Sequence, residues 1–444
     1  MSEIPTDWLD HSARLHPARV ALADSREQLT YAELRSRAGG VAGALAEAGV
    51  GPGDPVAIDL PAGTGHAIAL HGAILAGAVV QSMPTGGRAG VDVAAGTSFV
   101  DQGTLERAER LSGTWPVIRR ASGAPLTRVL TSGTSGEPKP VHLTGANHLW
   151  SALASGLNLG VQPEDRWLCC LPLNHVGGLT ILLRSAVYGT AAIIHDGFDT
   201  DRVAGVLSSS GASIVSLVAT QLVRLLDAEA ALKRPRLILV GGGPVPADVL
   251  AEALERGAPV VQTYGLTEAC SQVCTLAPSE ARTHAGSAGK PLLGIEVRID
   301  GGEILVRGPN VAPTALAADG WLHTSDVGRV DEENYLWVEG RVAELIVSGG
   351  ENVRPARVEA ALREDPDVAD VAVAGREDRE WGEVVIAYVV AAPGHAPDAE
   401  RLLARARRTL DRHEVPKRIE LVEQLPRTPS GKLQRRLLPP DPGR

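Results

Sequence analysis

The sequence predicts an α/β protein, with a large multi-layer N-terminal body over 1–340, a junction at 341–343 and a small α+β domain over 344–444. The first observation is a repeated β-then-α rhythm of short apolar runs and helical stretches, which means buried strands covered by helices. The second is a change of pattern after Gly340 to two helices among strands. The third is bulk: 444 residues, 44% of them hydrophobic, with mean hydropathy near zero, are enough for a large core and more than one domain.

Along the chain, Arg19 to Ala23 and Gln28 to Tyr31 read as strands flanking a polar turn. Thr30 and Glu33 then form a capping box that opens an alanine-rich helix to about Ala48. Pro55 to Leu60 is a short strand, and a helical stretch continues to Gly77. The rhythm resumes in Arg166 to Leu171, Ala191 to His195, Ile214 to Val218 and Arg236 to Val240, all expected in one body. In the last hundred residues, Pro355 to Arg363 and Asp398 to Arg412 read as helices. Val368 to Ala374, Val384 to Val390 and Arg418 to Val422 read as strands.

Composition excludes several classes. No run of about 18 apolar residues appears, and the start MSEIPTDWLDH lacks a basic stretch followed by an apolar one. A cytoplasmic protein without membrane insertion is expected. The net charge of −10 disfavours a nucleic-acid surface, although local cationic pockets remain possible. Cys169, Cys170, Cys270 and Cys274 form no CxxC pair, so buried thiols are expected rather than a metal or disulfides.

The chemistry begins at Thr131 to Lys139, TSGTSGEPK. Its glycines let backbone N–H groups approach an anion, its hydroxyls add donors and Lys139 adds a point charge. It is not a Walker loop, because Pro138 and Pro140 flank the lysine and forbid a helix there. A flexible Ser/Gly linker is the competing reading. Lysine usage weighs against that: the chain has only Lys139, Lys233, Lys290, Lys417 and Lys432, and Lys432 lies in a second Ser/Gly loop, RTPSGKLQRR.

Read with QTYGLTE (Gln262 to Glu268), HTSDVG (His323 to Gly328) and GRVAELIVSGGENV (Gly340 to Val353), these loops resemble the ordered signature of the adenylate-forming acyl-CoA synthetase superfamily. Within it, the stretches from Leu171 to His195, Val218 to Leu226 and Leu239 to Pro246, and YGLTEACSQVCTLAP, resemble the o-succinylbenzoate-CoA ligases of menaquinone biosynthesis. Pro84 to Thr127 and Asn310 to Gly320 look shorter than their family counterparts. The resemblance implies that ATP and a carboxylic acid give an acyl-adenylate and pyrophosphate, and that the CoA thiol then displaces AMP. It also implies a mobile C-terminal lid that turns about 341–343 between the two half-reactions.

By the same resemblance, Thr131, Ser132, Gly133, Thr134, Ser135, Gly136 and Lys139 serve the β/γ-phosphates. Thr267 meets the α-phosphate, and Glu268 helps hold Mg2+, a hard cation suited to oxygen ligands. Gly241, Gly242, Gly243, Gln262, Thr263, Tyr264 and Gly265 approach the base, Asp326 takes the ribose hydroxyls and Arg341 donates nearby. Lys432 bridges carboxylate and α-phosphate during adenylation. His175 gates the acyl pocket or shapes the CoA tunnel, with a satisfied structural histidine as the competing reading. The acid's second carboxylate calls for a deep cation; Arg224 is the candidate, against an arginine snorkelling to solvent from an amphipathic helix, and Ser271, Gln272 and Thr275 add donors. Ser348, Gly349, Gly350 and Glu351 line the CoA tunnel. Ala343 departs from the Asp or Lys usual two residues after the arginine. Arg354, Arg357 and Arg405 to Arg408 either meet CoA phosphates or form a solvated basic face.

The alternatives are another acyl- or aryl-CoA ligase, a stand-alone enzyme loading a carrier protein, and a degenerate nucleotide-binding protein without ligase activity. Partners are small molecules, and a homo-oligomer stays open.

Overall fold

The computed structural model describes residues 3–4, 8–84, 87–88, 90–111, 115–116, 118, 120–121, 123–131, 139–378, 381–427 and 433–439. Compactness divides the chain into a first unit, Met1–Arg298 with Leu305–His323, and a second, Ile299–Ile304 with Thr324–Arg444. This division falls earlier than residue 340 because Asp326 to Val330 pair with Leu336 to Arg341 as an antiparallel hairpin that stays with the second unit. The expected junction at 341–343 falls inside the second unit.

The single body expected from the sequence contains two main sheets among the described residues. One has nine strands, and in its parallel part Leu237–Gly241, Ile214–Val218, Arg166–Cys169 and Ala191–Ile194 lie side by side in that order. Their near-continuous apolar sequences are buried on both faces, as parallel strands under helices must be. The other has five strands, ordered Ser98–Val100, Pro55–Ile58, Val79–Ser82, Pro125–Thr131, Lys139–Thr144. The split between sheets was invisible in the sequence because apolar runs report burial, while pairing partners lie far apart along the chain.

Local sequence explains most element ends. Thr30 caps helix Tyr31–Glu47 with the reciprocal Glu33 bond, as the capping box predicts. Thr144 and Asn147 do the same for helix Gly145–Leu159. Lys139 opens a strand rather than a helix, in keeping with its flanking prolines.

In the second unit, a sheet ordered Glu351–Val353, Ile346–Ser348, Gly382–Ala391, Val368–Asp378 is extended by Arg418–Leu421, which pairs with Gly382–Ala391. Val371 and Val373 join one apolar cluster with Val358, Leu362, Leu402 and Leu403 from helices Pro355–Arg363 and Ala399–Thr409. Ala372 and Ala374 join another with Ile386 and Tyr388. This two-residue alternation is what a strand covered on both faces requires. No helix among the described residues is long and apolar enough to cross a membrane.

Candidate active site

In the first unit, strand Val260–Leu266 runs into a single 3-10 turn, Thr267–Ala269, and returns as the antiparallel strand Ser271–Thr275. Only glycine fits at 265, since a Cβ there would stand 1.6 Å from the Ser271 carbonyl oxygen. Cys270 and Ser271 carry φ of 51° and 88°, a left-handed pair that side chains disfavour. Other elements hold this turn. Ser151 Oγ donates to the Cys270 carbonyl at 2.7 Å, and Asn310 Nδ2 donates to the carbonyls of Ala269 and Gln272 at 2.8 and 3.1 Å. The Ala312 amide donates to the Glu268 carbonyl at 2.7 Å. With the backbone so fixed, Thr267 and Glu268 stand half-buried at the turn.

The expected nucleotide residues divide in character. Gly242 and Gly243 are exposed just past strand Leu237–Gly241, and Tyr264 is half-buried. The side chains of Gln262 and Thr263 serve the fold instead: Gln262 Oε1 accepts from the Gly286 amide at 2.6 Å, and Thr263 Oγ1 donates to the Cys274 carbonyl at 3.0 Å. Both side chains are thus engaged within the protein. Thr131 and Lys139 pair across the base of the phosphate loop, with Thr131 Oγ1 3.2 Å from the Lys139 carbonyl oxygen, and Lys139 is exposed. Ser132, Gly133, Thr134, Ser135 and Gly136, and also Lys432, lie outside the described residues.

Among the acyl candidates, His175 precedes helix Val176–Tyr188 and keeps an exposed edge, while the surrounding protein lowers its pKa by desolvation. Desolvation thus favours its neutral imidazole. Thr275 is buried with Oγ1 2.8 Å from Thr263 Oγ1, and Ser271 is half-buried. Gln272 is buried, and neither atom of its side-chain amide has a protein partner; such a group calls for a ligand or water. Arg224 does not meet the expectation of a deep cation. It is exposed on helix Ala219–Asp227, where Leu222, Leu225 and Leu226 take the buried face. The sequence reading missed Arg184, which is 3% exposed with Nε unpartnered and Nη2 donating to Ser151 Oγ at 2.9 Å. Its place in an apolar helix, LTILLRSAVY, was the available signal.

In the second unit, Asp326 is buried and accepts from Arg341 Nε at 2.9 Å. The salt link orients the carboxylate. Ser348 is buried, and Gly349 and Gly350 turn the chain with φ of 62° and 86°. The Trp381 ring covers Gly349 so closely that a Cβ would stand 2.9 Å from it, and Glu351 is exposed. Arg354 pairs with Glu339, Arg357 with Asp411 and Glu414, and Arg405 with Glu364.

The AMP-binding enzyme family matches residues 9–90 and 91–314, and the AMP-binding enzyme C-terminal domain matches 357–432. The chain belongs to the AMP-binding enzyme family. It is 36% identical to a 2-succinylbenzoate–CoA ligase of Listeria monocytogenes over 98% of each chain. It is 38% identical to one of Geobacillus kaustophilus, over 99% of this chain and 98% of that one. Its fold matches a solved o-succinylbenzoate CoA synthetase from Bacillus subtilis in complex with the acyl-adenylate intermediate, at 34% identity and a TM-score of 0.86, covering 99% of this chain and 98% of that one. The same enzyme with ATP and magnesium ion also scores 0.86.

Proposed function

We propose that this protein is an ATP-dependent acid–CoA ligase that converts o-succinylbenzoate to its acyl-adenylate and then to o-succinylbenzoyl-CoA. The observation that carries this reading is the full-length likeness to the synthetase solved with its acyl-adenylate. The physical problem is charge: a carboxylate must attack an anionic phosphate, so cations and aligned donors have to neutralise the approach.

The chain has groups suited to each part of that task. Lys139, with the loop it closes, and Thr267 face the phosphates. Asp326, oriented by Arg341, accepts the ribose hydroxyls, and Tyr264 lies along adenine. No cluster of three or more His, Cys, Asp or Glu able to hold a metal occurs among the described residues. One carboxylate, Glu268, fits Mg2+ that arrives with the nucleotide and takes its remaining ligands from phosphate and water. When bound, the ion neutralises phosphate charge. Lys432 serves the adenylation step, and the C-terminal domain turns about 341–343 to bring Ser348 to Glu351 to the CoA arm. Gln272, whose amide has no protein partner, donates to the acid, and His175 stands at the pocket mouth.

The test is a product assay with a panel of carboxylic acids, ATP, Mg2+ and CoA. The expected products are AMP, pyrophosphate and o-succinylbenzoyl-CoA. Robust turnover of simple benzoic or fatty acids, with none of o-succinylbenzoate, would overturn the substrate while leaving the ligase class. Transfer to a carrier protein in place of CoA would overturn the acceptor.

A further inference from the structure

Two segments proposed to handle the nucleotide meet at one buried side chain outside the signature motifs. His148, in helix Gly145–Leu159, is 3% exposed. Its Nε2 lies 2.8 Å from Thr127 Oγ1, and its Nδ1 lies 3.3 Å from Cys270 Sγ. Thr127 sits on the strand Pro125–Thr131 that ends where the phosphate loop begins. It shares a face with Thr131 at a separation of about 13 Å along the strand. Cys270 is the first left-handed residue after Thr267 and Glu268.

We propose that His148 is a positioning residue for adenylation, tying the Cys270 turn that presents Thr267 and Glu268 to the strand that roots the Thr131 to Lys139 loop. This inference rests on the ligase reading above. The turn needs such a tie, because two successive non-glycine residues in the left-handed region are conformationally costly and persist only when surrounding structure over-determines them. Cys270 is gripped from both sides. Its carbonyl accepts from Ser151, whose hydroxyl is in turn held by Arg184, and its thiol meets His148.

The link is also buried, with His148 3% and Cys270 0% exposed. A neutral imidazole donates from one ring nitrogen and accepts at the other, so a single tautomer satisfies both contacts, to Thr127 Oγ1 and to Cys270 Sγ. The Arg184 guanidinium and the Ser151 hydroxyl pack beside it.

The experiment compares wild type with His148→Phe, Cys270→Ala and Cys270→Ser. Two readouts are used: the Mg2+ dependence of binding of a fluorescent ATP analogue, and the separate rates of adenylation and of thioester formation from preformed o-succinylbenzoyl-adenylate. His148→Phe should raise the Mg2+ midpoint several-fold and slow adenylation about 10- to 100-fold, as expected for displaced catalytic groups. Thioester formation should stay within about threefold, because Glu268 has finished its part by then. Cys270→Ala should show a smaller version of the same split, and Cys270→Ser, which keeps the donor, should stay near wild type. Equal losses in both half-reactions, or no shift in the Mg2+ midpoint, would overturn the proposal. If His148→Phe fails to fold, identical behaviour of Cys270→Ala and Cys270→Ser overturns it as well. Failure of the ligase reading looks different: wild type would then bind ATP with Mg2+ yet adenylate no acid, and the Mg2+ midpoints of the variants would still decide the role of His148.

Discussion

Two tight turns in this molecule solve the same backbone problem by different means. At Gly349 and Gly350 the left-handed conformation is built into the residue type, and one indole, that of Trp381, covers the turn. At Cys270 and Ser271 side chains occupy the left-handed region, and bonds from Ser151, His148, Asn310 and Ala312 hold them there. A glycine turn is cheap to form and free to re-form, which suits a segment proposed to swing into place. A turn held by four distant groups is rigid, which suits one proposed to aim a carboxylate. The difference teaches that local sequence specifies the glycine turn, whereas tertiary structure specifies the one at Cys270 and Ser271.

Acid should break the comparison most strongly, because the first unit carries buried neutral histidines. Burial lowers the pKa values of His66 and His71 to about 4 and that of His148 to about 3. Folded values below the unfolded one of about 6.5 mean that stability is fully present above pH 6.5 and is lost as pH falls from there toward the folded values. At pH 5 the loss is about 2 kcal/mol per histidine, or roughly 6 kcal/mol for the three. His395 of the second unit is exposed and His413 half-buried. Limited proteolysis at pH 7 and pH 5 should therefore open the first unit at the lower pH, and equal cutting of both units would contradict the assignment.

Next in size is Gly265→Ala. Its Cβ would collide with the Ser271 carbonyl oxygen, shifting Thr267 and Glu268 and lowering the adenylation rate by about 100-fold. A variant with wild-type pyrophosphate release would show that the rigid turn is not required. Gly349→Ala sharpens the contrast from the other side. It meets the Trp381 ring at a left-handed φ and should slow thioester formation about 10-fold while adenylation stays near normal. Losing adenylation instead would remove the distinction between the turns. The smallest effects belong to exposed cations. Arg357→Ala should change the KM for CoA, and Arg224→Ala the KM for the acid, by no more than about fivefold, since exposed charge contacts are worth up to about 1 kcal/mol. A tenfold rise would make either residue a direct ligand contact.

Most helices and strands were legible in the sequence because caps, prolines and apolar periodicity are local, as at Thr30 with Glu33 and at the prolines beside Lys139. The signature motifs were legible as sequence, but the Asp326–Arg341 salt link and the left-handed Gly349 and Gly350 turn were seen only in the structure. What stayed hidden depends on contacts between distant segments. Nothing in the sequence assigned the five-stranded sheet, the use of Gln262 to hold Gly286, or the meeting of His148, Thr127 and Cys270. Arg224 misled because its helix is amphipathic, and an arginine near apolar neighbours in sequence lies on the opposite face in space.

The placement of the cysteines has a practical consequence. Cys169, Cys170, Cys270 and Cys274 are all free, buried and confined to the first unit, and burial raises the pKa of each thiol. A thiol kept protonated and out of water does not react with an alkylating reagent. Alkylation in graded denaturant therefore works as a clock for the opening of one unit alone, with the second contributing no background. Counting added mass per molecule would separate an opening confined to the Cys270 turn, which frees Cys270 and then Cys274, from one that also exposes Cys169 and Cys170 at the heart of the nine-stranded sheet.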